Sequence, residues 1–350
     1  MLSSLLGGTK QTVGLDLASH TLKVAVVDHS GDRPSLERVA HHHLDEDAIV
    51  DGEIMDPGLV TSAVRDLFRE TGIEGRKIVF SVGGRDVIVK RIEMDRMPRD
   101  EAEEALRWEA SQHIPFDLEE VQIDFVITDP EGEGLTMNVL LVAAKRDLVE
   151  EHVSLLENSD LDPEVVDVEA FALYNALEAN HPEALQGIGG VAHIGHDRTT
   201  VMIVRDGPPV LVRDLAFGTR QLGVELQRQL GLDKDDTEAI LRGEWDEPDE
   251  ELQEVVRRES QDVARGIEQG AAFLESESYG LALDQLYLCG EGVYVPGLLE
   301  TVSDRLDVPC EVPDPFSALA GAGARSGDPE AEKGPAAYML PVGLALRKVA

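Results

Sequence analysis

Two short stretches of the sequence carry side chains that could bind phosphate at the turn of a β-hairpin. The first, VGLDLASHTLKVAVV at 13–27, places hydroxyls at Ser19 and Thr21 and an ammonium at Lys23 around a turn of small residues. The N–H groups and hydroxyls of such a turn can hold phosphate oxygens, and small residues let the backbone approach the ligand. This stretch therefore predicts a phosphate-binding hairpin.

The second stretch, VAHIGHDRTTVMIV at 191–204, has the same strand-turn-strand pattern. Laid in register, it places His193 where the first stretch has Asp16, and Gly195 where the first has Ala18. An acid in one copy thus corresponds to an imidazole in the other.

The elements that follow each hairpin also correspond. A third strand near 36–44, a helix that begins at Asp56-Pro57 and a buried strand at 77–82 follow the first hairpin. A strand at 208–217 and a helix through Leu222, Leu226 and Leu230 follow the second. Two copies of the order ββ-β-α indicate an internal duplication.

A β-α-β-β segment interrupts the first copy. It has strands at 87–94, 121–127 and 137–144, with Trp108 expected in its core. Further along, 233–250 is expected to be acidic and turn-rich, 251–278 a long helix, and 321–337 a flexible loop before the closing helix.

The composition excludes several classes of function. Asp and Glu total 69 against 31 Lys and Arg, so the formal charge of −38 disfavours nucleic acid as a partner. No run approaches the roughly 20 apolar residues of a membrane helix, which predicts no direct membrane insertion. Two cysteines make no disulfide framework, in keeping with a cytoplasmic protein. The acid-rich, lysine-poor surface favours a halophilic source.

Several longer motifs resemble one family over about residues 12–349. IVDGEIMDP, ALRWEASQHIPFDLEEV, VLLVAAKRDLVEE, LCGEGVYVPGLLE and PVGLALRKV are similar to the PilM proteins of type IV pilus assembly, which are relatives of FtsA. The resemblance implies an α/β, duplicated actin-like (ribonuclease H-like) two-domain fold with an inserted SHS2 subdomain. The expected subdomains are 1A at 10–83 and 161–189, the inserted 1C at 84–160, 2A at 190–230 and 284–350, and 2B at 231–283.

The same resemblance implies an ATP and Mg²⁺ site between the two hairpins. It places Asp16 near the metal. The residues that it assigns to nucleotide binding are Asp16, Ser19, His20, Thr21, Lys23, Gly195, His196, Asp197, Thr199, Gly290, Glu291 and Gly292.

The chain departs from this family pattern at several site positions. His193 stands where an acid is usual, and neutral imidazole cannot replace a carboxylate toward hydrated Mg²⁺. Ala18 replaces a glycine, Asp197 would repel phosphate, and Glu291 stands in the middle of the adenosine loop. These departures predict weak ATP binding and little or no hydrolysis.

We therefore expect a cytoplasmic scaffold rather than an enzyme. The resemblance implies that it binds the N-terminal peptide of a PilN-like inner-membrane protein, and so lies at the pilus inner-membrane platform through that partner. The alternatives are an active ATPase or sugar-kinase-like phosphotransferase, the cytoplasmic platform component of type II secretion, and an FtsA-like filament. The filament is disfavoured because the ending LALRKVA lacks FtsA's amphipathic anchor, and self-association is left open.

Overall fold

A computed structural model describes residues 11–45, 47–245, 250–278, 283–321 and 328–347. The first unit contains β1 (Gln11–Leu17), β2 (Thr21–Asp28), β3 (Ser35–His43), β4 (Ile49–Val50), β5 (Glu53–Ile54), α1 (Pro57–Thr71), β6 (Lys77–Val82), α3 (Arg146–Asn158), β10 (Asp162–Val168) and α4 (Glu169–Asn180). The insert that interrupts it contains β7 (Val87–Asp95), α2 (Arg99–His113), β8 (Val121–Ile127) and β9 (Thr136–Lys145).

The second unit follows α4. It contains β11 (Ile188–Ile194), β12 (Thr199–Arg205), β13 (Pro209–Leu215), α5 (Thr219–Leu230), α6 (Lys234–Leu241), α7 (Glu250–Ser278), β14 (Gln285–Cys289), α8 (Leu298–Leu306) and β15 (Cys310–Glu311). The chain closes with α9 (Pro329–Lys333) and α10 (Met339–Leu346). No helix in the described ranges is long and apolar enough to span a bilayer.

The two units share one sheet topology. The first sheet has the order β10-β6-β1-β2-β3 and the second has the order β15-β14-β11-β12-β13. In the strand register, Asp16 lies opposite Lys23 in the first hairpin and His193 lies opposite Thr200 in the second. The register of the first hairpin therefore recurs 177 residues later. A bulge against the third strand follows Val26, and it too recurs 177 residues later. The predicted duplication is confirmed down to this irregularity.

The first helix shows why the elements begin and end where the sequence predicts. Asp56 accepts hydrogen bonds from the backbone N–H groups of Gly58 and Leu59, and Pro57 needs no such partner. At the other end Gly72 adopts φ of 65°, a left-handed conformation that glycine takes without strain. The helix therefore spans 57–71, as its pattern of apolar residues predicts.

The insert folds as a three-stranded antiparallel sheet, order β7-β9-β8, with α2 against one face. Leu106 and Ile114 lie in its core, together with Phe125 and Leu141. The prediction for Trp108 is wrong, since 67% of its surface is exposed. Leu106 and Ala110 take the buried face of α2, and Trp108 falls on the opposite face of the helix.

Two segments expected to lack regular structure contain helices. Within 233–250, α6 spans Lys234–Leu241. Asp233 caps its first turn, since its side chain accepts a hydrogen bond from the N–H of Asp236. Within 321–337, Pro329–Lys333 forms α9, and Pro335–Tyr338 forms a 3-10 turn. Residues 246–249 and 322–327 lie outside the described residues. Both sequence predictions missed this helical structure because they relied on the acidic composition of the first segment and the glycine-rich composition of the second.

The closing helix α10 returns to the first unit and packs against α4, β1 and β2. Gly14 on β1 makes this close approach feasible, because a Cβ there would stand 2.2 Å from the backbone oxygen of Pro341. The first hairpin is thereby supported by the closing helix.

Candidate functional site

A cavity of about 440 Å³ lies between the units, at the tips of the two hairpins. The first unit contributes the turn at 19–23, while the second contributes the turn at 196–197 and the residues at the start of α5. Helix α6, Tyr294 and the turn at 334–338 close the other side. The hairpin tips that the sequence singled out therefore do meet at one cavity.

Asp197 joins the two units at the floor of this cavity. It is only 5% exposed, and its Oδ2 accepts hydrogen bonds from the Ser19 hydroxyl and, at 2.9 Å, from the backbone N–H of Asp51. Its Oδ1 lies 3.0 Å from Nε of Arg220. Because Ser19 and Asp51 belong to the first unit, this one carboxylate ties the second hairpin to the first.

Arg198, the next residue, also reaches into the first unit. Its guanidinium pairs with Glu169, and the two side chains are 16% and 17% exposed. It lies over two glycines with positive φ, so that a Cβ on Gly52 would stand 3.3 Å from Nη1 and one on Gly84 would stand 3.5 Å from Cζ. Its Nε is buried with no hydrogen-bond partner among the described residues. A long cationic side chain thus fills the junction behind Asp197.

Asp16 and His193 occupy the equivalent positions of the two hairpins, and their surroundings suppress both charges. Burial raises the pKa of Asp16 to about 7, although the ammonium of Lys23 opposes the rise. Burial lowers the pKa of His193 to about 3, and Lys23 adds to the fall. At neutral pH the imidazole is therefore uncharged and the Asp16 carboxyl keeps a proton about half of the time.

A second link between the units crosses the cavity wall. Lys23 Nζ lies 2.5 Å from Oε1 of Glu291, which is in the loop after β14. Burial works against ionisation of Glu291, but the charge and hydrogen bond of Lys23 outweigh it and hold the pKa at about 2. The glycines on either side let the loop lie close to β11, since a Cβ on Gly292 would stand 2.2 Å from Ile194 Cγ2.

Histidine rings line the cavity between these two links. The rings of His20 and His196 stack with their centroids 4.9 Å apart, and His43 lies beside His20 at 5.8 Å. Nδ1 of His20 is buried and has no hydrogen-bond partner in the described ranges. Burial lowers the pKa of His196, so the stacked pair does not carry a charge on both rings at neutral pH.

The residues at the hairpin junction do not fit a hydrated Mg²⁺ ion. Mg²⁺ selects oxygen ligands, preferably ionised carboxylates. Ionisation of Asp16 is disfavoured by burial, His193 offers a neutral ring, and the carboxylate of Glu169 is neutralised by Arg198. Among the described residues there is no group of three or more His, Cys, Asp or Glu side chains placed to hold a metal.

The structure brings most, but not all, of the twelve predicted residues to the cavity. Those that line it are Ser19, His20, Thr21, Lys23, His196, Asp197 and Glu291. Asp16, Gly195, Gly290 and Gly292 lie behind the lining. Thr199 is fully buried and its hydroxyl donates to the carbonyl of Phe217, so it faces away from the cavity.

Sequence reasoning missed five of the residues that join the two units. They are Asp51, Glu169, Arg198, Asp214 and Arg220. Asp214 binds the N–H of Gly84 at 3.0 Å and so makes a further link of the same kind. Arg198 could have been found, because a long cationic side chain in the turn HIGHDRTT, beside the expected phosphate site, is a candidate for a charged contact.

Two sheets of one topology facing a common cleft define the actin-like ATPase fold, which confirms the predicted class. Solved structures with this fold include the ethanolamine utilization protein EutJ of Carboxydothermus hydrogenoformans, at TM-score 0.54 and 18% identity over 96% of this chain and 89% of that one. MreB 5 of Spiroplasma citri bound to AMPPNP gives a TM-score of 0.52 at 11% identity over 96% and 95%.

A narrower likeness identifies the family. The family model of the type IV pilus assembly protein PilM matches residues 14–349, so the chain belongs to the PilM family. A solved PilM-PilN type IV pilus biogenesis complex is similar to this chain at TM-score 0.83 and 27% identity, over 97% of this chain and 98% of that one.

Proposed function

We propose that this protein is a cytoplasmic scaffold of type IV pilus assembly. It binds the N-terminal peptide of a PilN-like inner-membrane protein and lies at the membrane through that partner. Family membership and the likeness to a PilM-PilN complex support the role and the partner. The family match also favours the pilus over the type II secretion platform.

One observation carries the proposal that the scaffold works without nucleotide. The chain links its own two units across the cleft, through Asp197, the Lys23–Glu291 pair and the Arg198–Glu169 pair. A ligand can change partner affinity only if it binds two states of the protein differently. With the units already joined, ATP binds weakly in the cleft, its turnover stays near background, and the partner peptide binds equally well without it.

The insert offers a surface for that peptide. Three of its apolar side chains are exposed, Trp108 at 67%, Val126 at 56% and Leu135 at 91%. Strand β8 is an edge of the insert sheet, with no strand beyond it in the described part of the chain. An extended peptide can add backbone hydrogen bonds to such an edge and place apolar side chains in neighbouring pockets. Basic residues flanking the peptide would be attracted to a protein of charge −38.

The test is a titration with the N-terminal peptide of the single-pass membrane protein encoded beside this one. Trp108 and Trp245 are the only tryptophans, so fluorescence of a Trp245→Phe variant reports on the insert. We expect dissociation constants that agree within about twofold with Mg-ATP and with EDTA, and that rise with salt.

A matched pair of variants locates the surface. Val126→Asp on the insert should weaken peptide binding about tenfold, because it sets a charge in an apolar contact. Val312→Asp, at a residue of the second unit that is 41% exposed, should leave it unchanged. Binding that appears only with Mg-ATP, or equal losses in the two variants, would contradict the proposal.

A further inference from the structure

The carboxylate of Asp197 has the surroundings that a protein usually builds for a bound phosphate. It receives a hydroxyl hydrogen bond from Ser19, a backbone N–H from Asp51 and the charged Nε of Arg220. Hydroxyls, turn N–H groups and guanidinium groups are the donors that proteins use for phosphate oxygens. An anion is therefore already present at the tip of the first hairpin, and the chain itself supplies it.

Arg198 supplies the opposite charge just behind this carboxylate. A divalent metal beside a phosphate chain neutralises both the phosphate and the acids around it. The guanidinium here pairs with Glu169, and its charge also acts on Asp16 and His193. Two consecutive residues of one turn thus provide an anion and a cation where the two hairpins meet.

With Asp197 included, the cavity lining is electrically balanced, unlike the protein as a whole. Five cationic and five anionic side chains line it, in a chain whose formal charge is −38. They are Lys23, Arg220, Lys234, Arg242 and Lys333 against Asp47, Asp197, Glu238, Glu244 and Glu291. A balanced lining tolerates a ligand with one or two phosphates but does not offset a full triphosphate without metal.

We propose that two consecutive residues of this turn take the place of ligand groups. Asp197 substitutes for the outermost phosphate of a nucleoside triphosphate, and Arg198 substitutes for its metal ion. The cleft accordingly accepts nucleoside monophosphates or diphosphates and needs no divalent cation. This inference rests on the proposed weak nucleotide cleft and names its ligand class. A third phosphate would have to displace Asp197 from Ser19 and Asp51, or lie beside a buried charge of the same sign.

Calorimetry with ADP and ATP, each in excess Mg²⁺ and in EDTA, tests the inference. The unaltered protein should bind ADP at least as tightly as ATP, and EDTA should change either affinity by less than about twofold. Asp197→Ser removes the carboxylate and leaves a small hydroxyl, so ATP binding should strengthen about tenfold relative to ADP binding, as expected for removal of one nearby like charge.

Two further variants keep the result decisive. Asp197→Asn retains the shape of the side chain and should shift the ATP-to-ADP ratio in the same direction. It provides the test if Asp197→Ser does not fold. Asp262→Ser removes an acid on α7 that is outside the cavity lining and whose side chain is 58% exposed, so it should leave the ratio unchanged.

Three outcomes would overturn the inference. They are Mg²⁺-dependent binding of ATP in preference to ADP by the unaltered protein, an ATP-to-ADP ratio that neither Asp197 variant changes, and no binding of either nucleotide by any of the proteins at millimolar concentration. The peptide titration is a separate measurement. Loss of peptide binding would argue against the scaffold role and leave the nucleotide ratio standing.

Discussion

The two hairpins share a backbone pairing and a bulge, yet their tips have opposite roles. The first tip receives an anion, because its Ser19 hydroxyl and the N–H of Asp51, in the turn between β4 and β5, both donate to the same carboxylate. The second tip carries the inserted groups, Asp197 and Arg198. The two hairpins thus share one backbone geometry, and their different side chains make the two tips complementary to each other.

This difference underlies our proposal that the cleft works without a nucleotide. The hydrogen bonds that a bridging ligand would provide are made within the chain, so the two units stay joined. Such buried polar links are demanding, because each group must find a partner once it is taken out of water. The predictions below break the links one at a time.

The largest effect is expected for Arg198→Ala. The variant leaves the Glu169 carboxylate buried without its partner, so the free energy of unfolding should fall by about 3 kcal/mol. Denaturant unfolding followed by circular dichroism measures this. Adding Glu169→Gln should recover part of the loss.

The matched control is Arg228→Ala. Arg228 forms an ion pair with Glu225 at 2.6 Å, but its side chain is 66% exposed and solvent screens the pair, so the loss should be far smaller than at Arg198. Similar losses at Arg198 and Arg228 would mean that the junction pair behaves as a surface pair.

The next prediction sharpens the contrast between Asp16 and His193 through pH. The folded-state pKa of Asp16 is about 7, above the ordinary 3.8, so between these values the folded protein holds a proton that the unfolded chain has lost. Stability contributed by this proton is full below pH 3.8 and is lost as the pH rises through 7. Asp16→Asn removes that loss, so its stability relative to the unaltered protein should grow by about 2.5 kcal/mol from pH 5 to pH 8. A constant difference across this range would show that Asp16 is ionised in the folded state.

His193 should give the opposite slope. Its folded-state pKa is about 3, below the ordinary 6.5, so the unfolded chain takes up a proton first as the pH falls. Stability from the neutral ring is full above pH 6.5 and declines toward pH 3. His193→Gln should therefore gain about 2 kcal/mol relative to the unaltered protein between pH 7 and pH 5. Thermal or denaturant unfolding at the two pH values decides, and a gain toward high pH would contradict it.

The fold could be predicted because its signals are local and repeated. The alternation of apolar residues in 13–27 and 191–204, the cap at Asp56-Pro57 and the glycine at 72 each act within a few residues. The family resemblance then supplied the arrangement of the parts. Trp108 was misplaced because an apolar type says little about which side of a helix it takes when Leu106 and Ala110 already fill the buried face.

The site could be predicted only in part. The cavity residues of the two turns follow from the hairpins, since both tips meet at one cleft. The links made by Asp197 and Arg198 join residues 178 and 29 positions apart in sequence, and their partners include a backbone N–H, which no residue pattern marks. The sequence alone attributes the proposed weak metal binding to His193. The structure adds a second cause, the cationic side chain of Arg198, whose charge acts on His193.

The smallest expected effect separates these two explanations. His193→Asp restores the acid that the family pattern has at this position. If the missing acid alone weakened metal handling, ATP affinity should rise about fivefold with Mg²⁺ and not with EDTA, as one added charge-assisted contact would give. We expect less than about twofold in either condition, because Arg198 is close enough to act on residue 193 and would pair with the new carboxylate, while Asp197 still opposes the third phosphate. In EDTA, the double variant that combines His193→Asp with Asp197→Ser should bind ATP no better than the Asp197→Ser variant does. Calorimetry on the single and double variants provides the comparison, and a fivefold gain with Mg²⁺ in the single variant would assign the weakness to His193.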